Sequence, residues 1–436
     1  MFVLIALHVA SAATSVEPPP EAAEIVAKWL AEKKAPGISV AAVNREGIIW
    51  SAGFGLADVE AQRPATATTR YQFASITKVY TALLLAQLAA RGEVELDAPV
   101  TRWLPELKPR YPEPGAREIA LRHIATHTAG FTRNMAGEKA SGREHGYTVQ
   151  EFLNWQRTAG LTAGPGVQYK YSNFGYGVLG TALERAMGKP YRDLLRERVL
   201  QPLKLTATGF SELHSHPELA RSYRVEDDKL APDTDPLFDF GAQAAASELI
   251  STVEDVARFA QAHLGAGPEE VVPQAAADLL FTPYFPTSDT SAICLGWRCS
   301  WADGLPRWSH TGSVNHYQSL IAVRPDVGIG VVLACNGPGA LGDLSIPLLR
   351  LLAQHADTSA LAAVVGDYTD GDTVAMVRLR PDAVLTIEVR GAVRMVPVSR
   401  HTYRIIEGRN AGEWVRFVRE DRQDVLLWED RRLVRK

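Results

Sequence analysis

A chain of 436 residues, 46% of them hydrophobic, carries enough apolar material for a large core and, by its length, for two to three structural units. With 46 basic residues against 50 acidic ones and no long run of one sign, it presents no field that would draw a nucleic acid. Three cysteines, Cys294, Cys299 and Cys335, are too few for a disulfide framework and have no Cys or His at zinc-site intervals, so neither a metal nor a cofactor is expected.

The chain opens on an apolar run, Met1 to Ala12, followed by the polar, Pro-rich Thr14 to Pro20. This reads as a secretory leader with an Ala10-x-Ala12 cleavage site, and hence an extracytoplasmic location, although no Lys or Arg precedes Lys28. No other stretch offers the ~18 unbroken apolar residues of a membrane span. Glu21 to Lys34 has helical period. Gly37 to Val43 and Ile48 to Gly53 read as strands of a hairpin around the turn residues Asn44 to Gly47.

After a loop from Ala61 to Arg70 comes Phe73-Ala74-Ser75-Ile76-Thr77-Lys78-Val79-Tyr80, which runs into an apolar helix ending near Arg91 with Gly92 as its cap. Residues i and i+3 of a helix share a face, about 5 to 6 Å apart at Cβ, so the Lys78 amine can lie beside the Ser75 hydroxyl as a base beside a nucleophile. The helix N-terminus adds unpaired N–H groups that favour developing negative charge. Alone the spacing is weak, since about one such Ser and Lys pair is expected by chance in a chain of this length.

Beyond the breaks at Pro99 and Pro105, Ile119 to Leu205 is helical in pattern, including Tyr147 to Trp155 and Gly177 to Ala186. His123 and His127 stand four apart, a metal-ligand spacing, but with no third ligand nearby packing is the better reading. The polar stretch Val167 to Gly175, containing Tyr171 and Asn173, reads as a functional loop. Leu249 to Leu264 reads as a helix with Ser251 to Glu254 as a capping box. Strands follow at Gly296 to Trp301, Pro306 to His310, Ser319 to Val323 and Gly328 to Ala334, then a helix at Asp343 to Ala356. If Cys294 to Cys299 is one continuous strand, the two thiols lie about 16 Å apart and cannot bridge. Strand and helix blocks are segregated, with strands at both ends of this region. That pattern predicts an α+β fold: an antiparallel sheet assembled from both ends and flanked by helices, with a helical insert between. From Gly366 onward, short β-prone segments (Thr373 to Leu379, Val384 to Val389, Val393 to Val398, Trp414 to Val418, Val425 to Trp428) predict a small all-β barrel or sandwich.

Three motifs occur once each and in order: Ser75-x-x-Lys78, Tyr171-x-Asn173 and His310-Thr311-Gly312. With Ala35 to Val40 and Thr126-His127-Thr128-Ala129-Gly130, they make residues 25 to 355 resemble the class C β-lactamase and penicillin-binding-protein-like serine hydrolases, a family that includes D,D-peptidases, D-aminopeptidases and esterases. The tail is similar to lipocalin-like domains appended to some members. The organisation expected is a leader and linker over 1–20, a hydrolase domain over 21–357 and a small β domain over 360–436.

The resemblance implies that Ser75 forms an acyl-enzyme with an ester or peptide substrate and that Lys78 and Tyr171 act as a pair. A Lys of ordinary pKa near 10.4 would be charged and could not accept a proton, so burial must lower it or Tyr171 must serve as phenolate. Asn173 would orient Lys78 and contact the acyl group. Thr311, Gly312 and Ser313 would line the substrate, with the N–H groups of Ser75 and Ser313 as the oxyanion hole. His310 stands where many β-lactamases have Lys, which removes a fixed charge for a substrate carboxylate. His316, in place of a Gly-rich turn, is expected to narrow the cleft or touch substrate. An esterase or peptidase is the reading, against a β-lactamase proper, a penicillin-recognising protein without turnover, or a scaffold whose tail is the functional part. Oligomeric state is not legible.

Overall fold

The computed structural model describes residues 16–436 apart from 114, 136–145, 228, 236, 238, 302–304, 382, 390–391, 400–401, 406–412, 421–422 and 429–430. The apolar run at the start and its cleavage site lie outside the described residues. Helix α1 (Pro20–Lys33) begins on proline, whose missing N–H costs nothing there, and buries Ala22, Val26 and Trp29. Strands β1 (Gly37–Asn44), β2 (Ile48–Asp58) and β3 (Arg63–Pro64) follow. The expected turn between the first two is held by Asn44 Oδ1, which accepts from the N–H groups of Glu46 and Gly47 at 3.0 Å each.

Helix α2 (Thr77–Ala90) is buried at every residue from Thr77 to Leu88, which is why its sequence is apolar on all sides. Among the later elements, those that frame the site and the sheet are helices α3 (Asn173–Met187) and α4 (Val253–Gln261), strands β4 (Phe285–Ser288), β5 (Ser291–Ile293), β6 (Arg298–Ser300), β7 (Arg307–Val314), β8 (Tyr317–Arg324) and β9 (Ile329–Cys335), and helix α5 (Leu341–Ala353). The nine strands form one antiparallel sheet in the order β3-β2-β1-β9-β8-β7-β6-β5-β4. The first hairpin thus sits directly against the last strand, Ile38 opposite Cys335. Both faces of this sheet are covered. Ala41 and Val43 of β1 join the core shared with α2, α3 and α4, while Ile38, Val40 and Ala42 join the core shared with α1 and α5.

Two expected elements differ. The stretch before α4 is not helical from Leu249: Ile250–Ser251 pairs with Tyr71–Gln72, and the cap is Thr252, whose hydroxyl accepts from the Asp255 N–H at 3.2 Å. Of the strand expected at Gly296 to Trp301, Arg298–Ser300 is extended, but Cys294 to Cys299 is not one continuous strand. Gly296 takes φ +71°, and the Cys294 N–H donates to the Trp297 carbonyl at 2.8 Å, turning the chain from β5 into β6. A Cβ at Gly296 would also lie 2.5 Å from the Ala82 methyl, so glycine lets this turn rest on α2. Cys294 therefore lies in the turn after β5 and Cys299 on β6, both free and buried, and contact with Cys294 pulls the Cys299 thiol down.

The C-terminal strands close into an eight-stranded barrel: β10 (Gly366–Thr369), β11 (Val374–Leu379), β12 (Leu385–Glu388), β13 (Ala392–Ser399), β14 (Thr402–Ile405), β15 (Trp414–Glu420), β16 (Gln423–Trp428) and β17 (Arg431–Arg435), with β10 paired to β17. Closure removes the exposed edges that short strands would otherwise present. Tyr368, Val377, Ile387, Tyr403, Phe417 and Leu426 belong to the core that also holds α1 and α5. No helix among the described residues is long and apolar enough to cross a membrane.

Candidate active site

Ser75 sits in a single 3-10 turn, Ala74–Ile76, that feeds α2. Ala74 holds φ +49°, a left-handed conformation unfavourable for a residue with a Cβ, and its surroundings explain how it is kept there. The Phe73 N–H donates to the Leu249 carbonyl at 2.8 Å, the Ser319 hydroxyl donates to the Phe73 carbonyl at 2.8 Å, and the Thr77 hydroxyl donates to the Ala74 carbonyl at 2.6 Å. Strand β7 lies against this turn because residue 312 is glycine: a Cβ there would fall 2.2 Å from the Phe73 oxygen.

Lys78 has no solvent exposure. Its Nζ lies 3.1 Å from Ser75 Oγ, 2.8 Å from Asn173 Oδ1 and 2.7 Å from the Ala246 carbonyl. Asn173 begins α3, whose cap is Ser172: its Oγ accepts from the Gly175 N–H at 2.8 Å and donates to the Thr132 carbonyl at 2.6 Å. The cap fixes the residues on either side of it. Tyr171 lies near enough to the Ser75 side chain to act with it, and its ring centre is 4.9 Å from Lys78 Nζ. Asn173 offers its oxygen to Lys78 and its Nδ2–H to Asn134 Oδ1 at 2.8 Å.

His310, Thr311, Gly312 and Ser313 are on β7, which joins β8 through Asn315 and His316 at φ +44° and +62°, a two-residue hairpin turn. In such a hairpin the closing pair, Val314 and Tyr317, exchanges hydrogen bonds. Alternation then turns the N–H groups of Ser313 and Thr311 away from β8. Strand β6 covers that edge of β7 only from Arg307 to Ser309, so the Ser313 N–H faces the cleft. His310 Nδ1 lies 2.8 Å from the Thr311 carbonyl, which can only accept, so Nε2 is the free acceptor of the neutral ring. Its ring centroid is 6.3 Å from that of Tyr171.

Burial is the main cause of every shift here. It drives the Lys78 amine well below its usual range, with help from the nearby Arg133 charge, and it raises the Tyr171 phenol, offset in part by the Ser75 side chain. It pushes His310 down to about 3, with Lys78 adding to the effect. Burial thus favours the neutral form of all three groups, the amine, the phenol and the imidazole.

A cavity of about 430 Å³ opens above Ser75, lined among others by Tyr169, Tyr171, Trp297, Arg298 and Ser313. His316 is exposed at the hairpin tip and is not among the described residues that line the cavity, so it does not narrow the cleft as expected. The histidine spacing also reads differently in three dimensions. The helix carrying His123 ends at Ala125, and His127 takes φ +57°, so the two do not share a helical face. Instead His127 Nδ1 accepts from the Ser172 N–H at 3.0 Å and its ring packs 4.3 Å from Tyr171. His127, Arg133, Arg298 and the Ala246 carbonyl are site groups to which the motif reading assigned no role; only His127 lay in a stretch that carried the family resemblance. Among the described residues no three His, Cys, Asp or Glu side chains converge as a metal site.

This is the fold and the nucleophile setting of a serine hydrolase. A family model, Beta-lactamase, matches residues 22–355, and the chain belongs to that family. Esterase EstB of Burkholderia gladioli is 38% identical over 192 residues, 42% of this chain and 48% of the esterase, so the chain spans about half of that relative's length. Penicillin-binding protein 4 of Amycolatopsis lactamdurans is 29% identical over 307 residues, 67% of this chain and 78% of that protein. In structure the chain is similar to the octameric penicillin-binding protein homologue from Pyrococcus abyssi, with TM-score 0.67 and 23% identity over 95% of this chain and 99% of that one.

Proposed function

We propose that the chain hydrolyses a carboxylic ester or a peptide amide through an acyl-enzyme on Ser75, with Lys78 and Tyr171 as its acid and base. One observation carries this reading: the three partners of Lys78. The Asn173 oxygen and the Ala246 carbonyl can only accept hydrogen bonds, and a neutral amine has two hydrogens to give them. Its lone pair is then left for the third partner, the Ser75 hydroxyl at 3.1 Å. Burial without a carboxylate partner supports the neutral form.

Attack by Ser75 Oγ on the carbonyl carbon passes the hydroxyl proton to Lys78. The N–H groups of Ser75 and Ser313 would take the oxyanion, each donor worth about 10² to 10³ in rate. Tyr171, raised and therefore protonated, gives its proton to the leaving group and recovers one from Lys78. Water then attacks the acyl-enzyme by the reverse route. His310 stays uncharged throughout and offers Nε2 to the substrate.

Intact mass after treatment with a fluorophosphonate tests the nucleophile: one adduct on the parent protein and none on Ser75→Ala is expected, and an unmodified parent would end the proposal. Turnover of p-nitrophenyl esters, compared with nitrocefin, tests the substrate. Nitrocefin hydrolysis with inert esters would make the chain a class C-type β-lactamase. Labelling by a fluorescent penicillin without any turnover would make it a penicillin-binding protein.

A further inference from the structure

We infer that Asn315 is a positioning residue: its side-chain amide ties the tip of β7 to the segment that leads into Ser75, and so holds the two N–H groups of the oxyanion hole at one spacing. The inference rests on the hydrolase reading above and adds to it the contact that keeps that hole in shape.

The Ser313 N–H can face the cleft only because β6 stops short of it. Beyond Ser309, β7 is paired to β8 alone among the described residues. A strand end with one neighbour lacks the second ladder that would fix its twist and its height. The other donor, the Ser75 N–H, belongs to the turn after Phe73. Two donors serve one oxygen only while they keep their places to within about 0.5 Å, so something other than the sheet has to join them.

Three contacts run from the end of the β7–β8 hairpin to residues 70–72. Asn315 Nδ2–H donates to Gln72 Oε1 at 3.1 Å. The Tyr317 ring meets the Tyr71 ring edge-on, with centroids 6.5 Å apart. The Tyr317 hydroxyl donates to the Ala220 carbonyl, and the Ala220 N–H donates to the Arg70 carbonyl at 2.9 Å. Gln72 is a firm anchor: it is 2% exposed, and its residue pairs with Ile250 across a short ladder. Ser313 thus lies between two attachments to one segment, Gly312 against the Phe73 oxygen and Asn315 on Gln72.

The backbone at residue 315 sharpens the point. Its φ of +44° is one that glycine takes without steric cost, and a two-residue hairpin turn asks for nothing more there. Asparagine tolerates the left-handed region better than most residues with a Cβ, and what it adds over glycine is the amide. That amide is the group engaged with Gln72.

Asn315→Gly therefore keeps the turn and removes only the tie. On p-nitrophenyl butyrate its kcat should fall about tenfold, less than the 10² to 10³ that goes with loss of an oxyanion donor. KM should stay within about threefold, since the spacing matters most when charge develops on the oxygen. The urea midpoint should stay near that of the parent. The rate at which a fluorophosphonate modifies Ser75 should fall by a similar factor, because its P=O oxygen takes the same two N–H groups. Gln72→Met removes the acceptor and should do the same, and the double variant should be no slower than the slower single, because both side chains act through one bond. Parent rates in Asn315→Gly, additive losses in the double variant, or losses that only follow a drop in stability would overturn the inference and leave the hydrolase reading standing. If the parent is labelled but turns over no ester, the labelling rates of the same three variants decide in the same way. A parent that is not labelled at all takes both down.

Discussion

Lys78 and Arg324 are both basic side chains without solvent exposure, one beneath the cleft and the other where the sheet meets the barrel. Arg324 ends β8, bonds the Asp326 carboxylate at 2.7 Å and donates to the Ala383 carbonyl of the barrel at 2.7 Å. Lys78 has two neutral carbonyl oxygens and a hydroxyl, and no acid. Burial is common to both, so the counter-ion makes the difference. Paired, the guanidinium joins two parts of the fold. Unpaired, the amine is driven toward its neutral form, the form that the proposed chemistry needs. The comparison separates polar groups buried for architecture from those buried for chemistry, and it can be broken at either end.

The largest effect is expected at the cleft. Lys78→Met keeps the length of the side chain and removes the lone pair, and kcat/KM should fall by about 10² to 10⁴, the range for loss of a positioned general base. Stability should change little, because relief from burying the amine offsets the loss of a donor to the Asn173 and Ala246 oxygens. Steady-state rates and urea melts of the same sample check both halves. A marked loss of stability would mean that Lys78 is structural after all.

Arg324→Met should do the converse. It strands Asp326, whose side chain is 7% exposed, and leaves the Ala383 carbonyl without that donor. Removing one partner of a buried pair costs about 3 to 5 kcal/mol. Turnover per folded molecule should not change, since Arg324 is remote from the cavity lining. Replacing Asp326 by Leu in the same chain should restore much of the loss, as apolar substitution of both partners often does. If the single variant melts like the parent in urea, the junction does not depend on this pair.

Acid offers a third way to separate the regions. His123 and His263 are pushed down to about 4 by burial, from about 6.5 in an unfolded chain. The unfolded state therefore binds protons first as the pH falls. The stability tied to these rings is whole above about pH 6.5 and declines as the pH drops toward about 4. His263 shows the cause: its Nδ1 lies 2.8 Å from the Phe259 carbonyl, and its buried Nε2 has no partner. Among the described residues the barrel contains no histidine. The melting temperature should fall between pH 7 and pH 4.5 through the hydrolase body, and His263→Phe should flatten that slope. An unchanged slope would place the acid sensitivity elsewhere.

How much of this was legible beforehand follows from where the information sits. Ser75, Lys78, Tyr171, Asn173 and the His310 to Ser313 strand were readable because each motif is a few residues long, and the structure brings them around one hydroxyl. The paired ends of the sheet were readable from apolar runs buried on both faces. The Gly296 hairpin was not, because a glycine inside a β-prone run looks the same whether the strand bulges or reverses. The Ala246 carbonyl was out of reach because a backbone oxygen leaves no trace in residue identity. Arg133 and Arg298 were hidden in another way: they are two arginines among many, and what marks them out is a place in the cavity lining with no ion pair among the described residues. In the barrel, five strands announced themselves by alternation. Gly366–Thr369, Thr402–Ile405 and Arg431–Arg435 are short or carry charges on the outward face, so their pattern was too faint.

The smallest expected effect gives the sharpest test, because two helix caps of the same kind lie in the two settings. Ser172 caps α3 between Tyr171 and Asn173, with its hydroxyl 2.8 Å from the Gly175 N–H. Thr252 caps α4 away from the cavity, 3.2 Å from the Asp255 N–H. Loss of either cap to alanine should cost about 1 kcal/mol of stability, within the usual range of 0.5 to 2. Only Ser172→Ala should also lower kcat, since it frees the residues that hold the phenol at Ser75 and the amide at Lys78. Thr252→Ala should melt earlier by a similar amount and hydrolyse esters at the parent rate. Should both variants lose turnover in proportion to stability, the cleft is no more sensitive to small displacements than the rest of the fold, and the rigid placement of Tyr171 and Asn173 by the α3 cap does not matter to the rate.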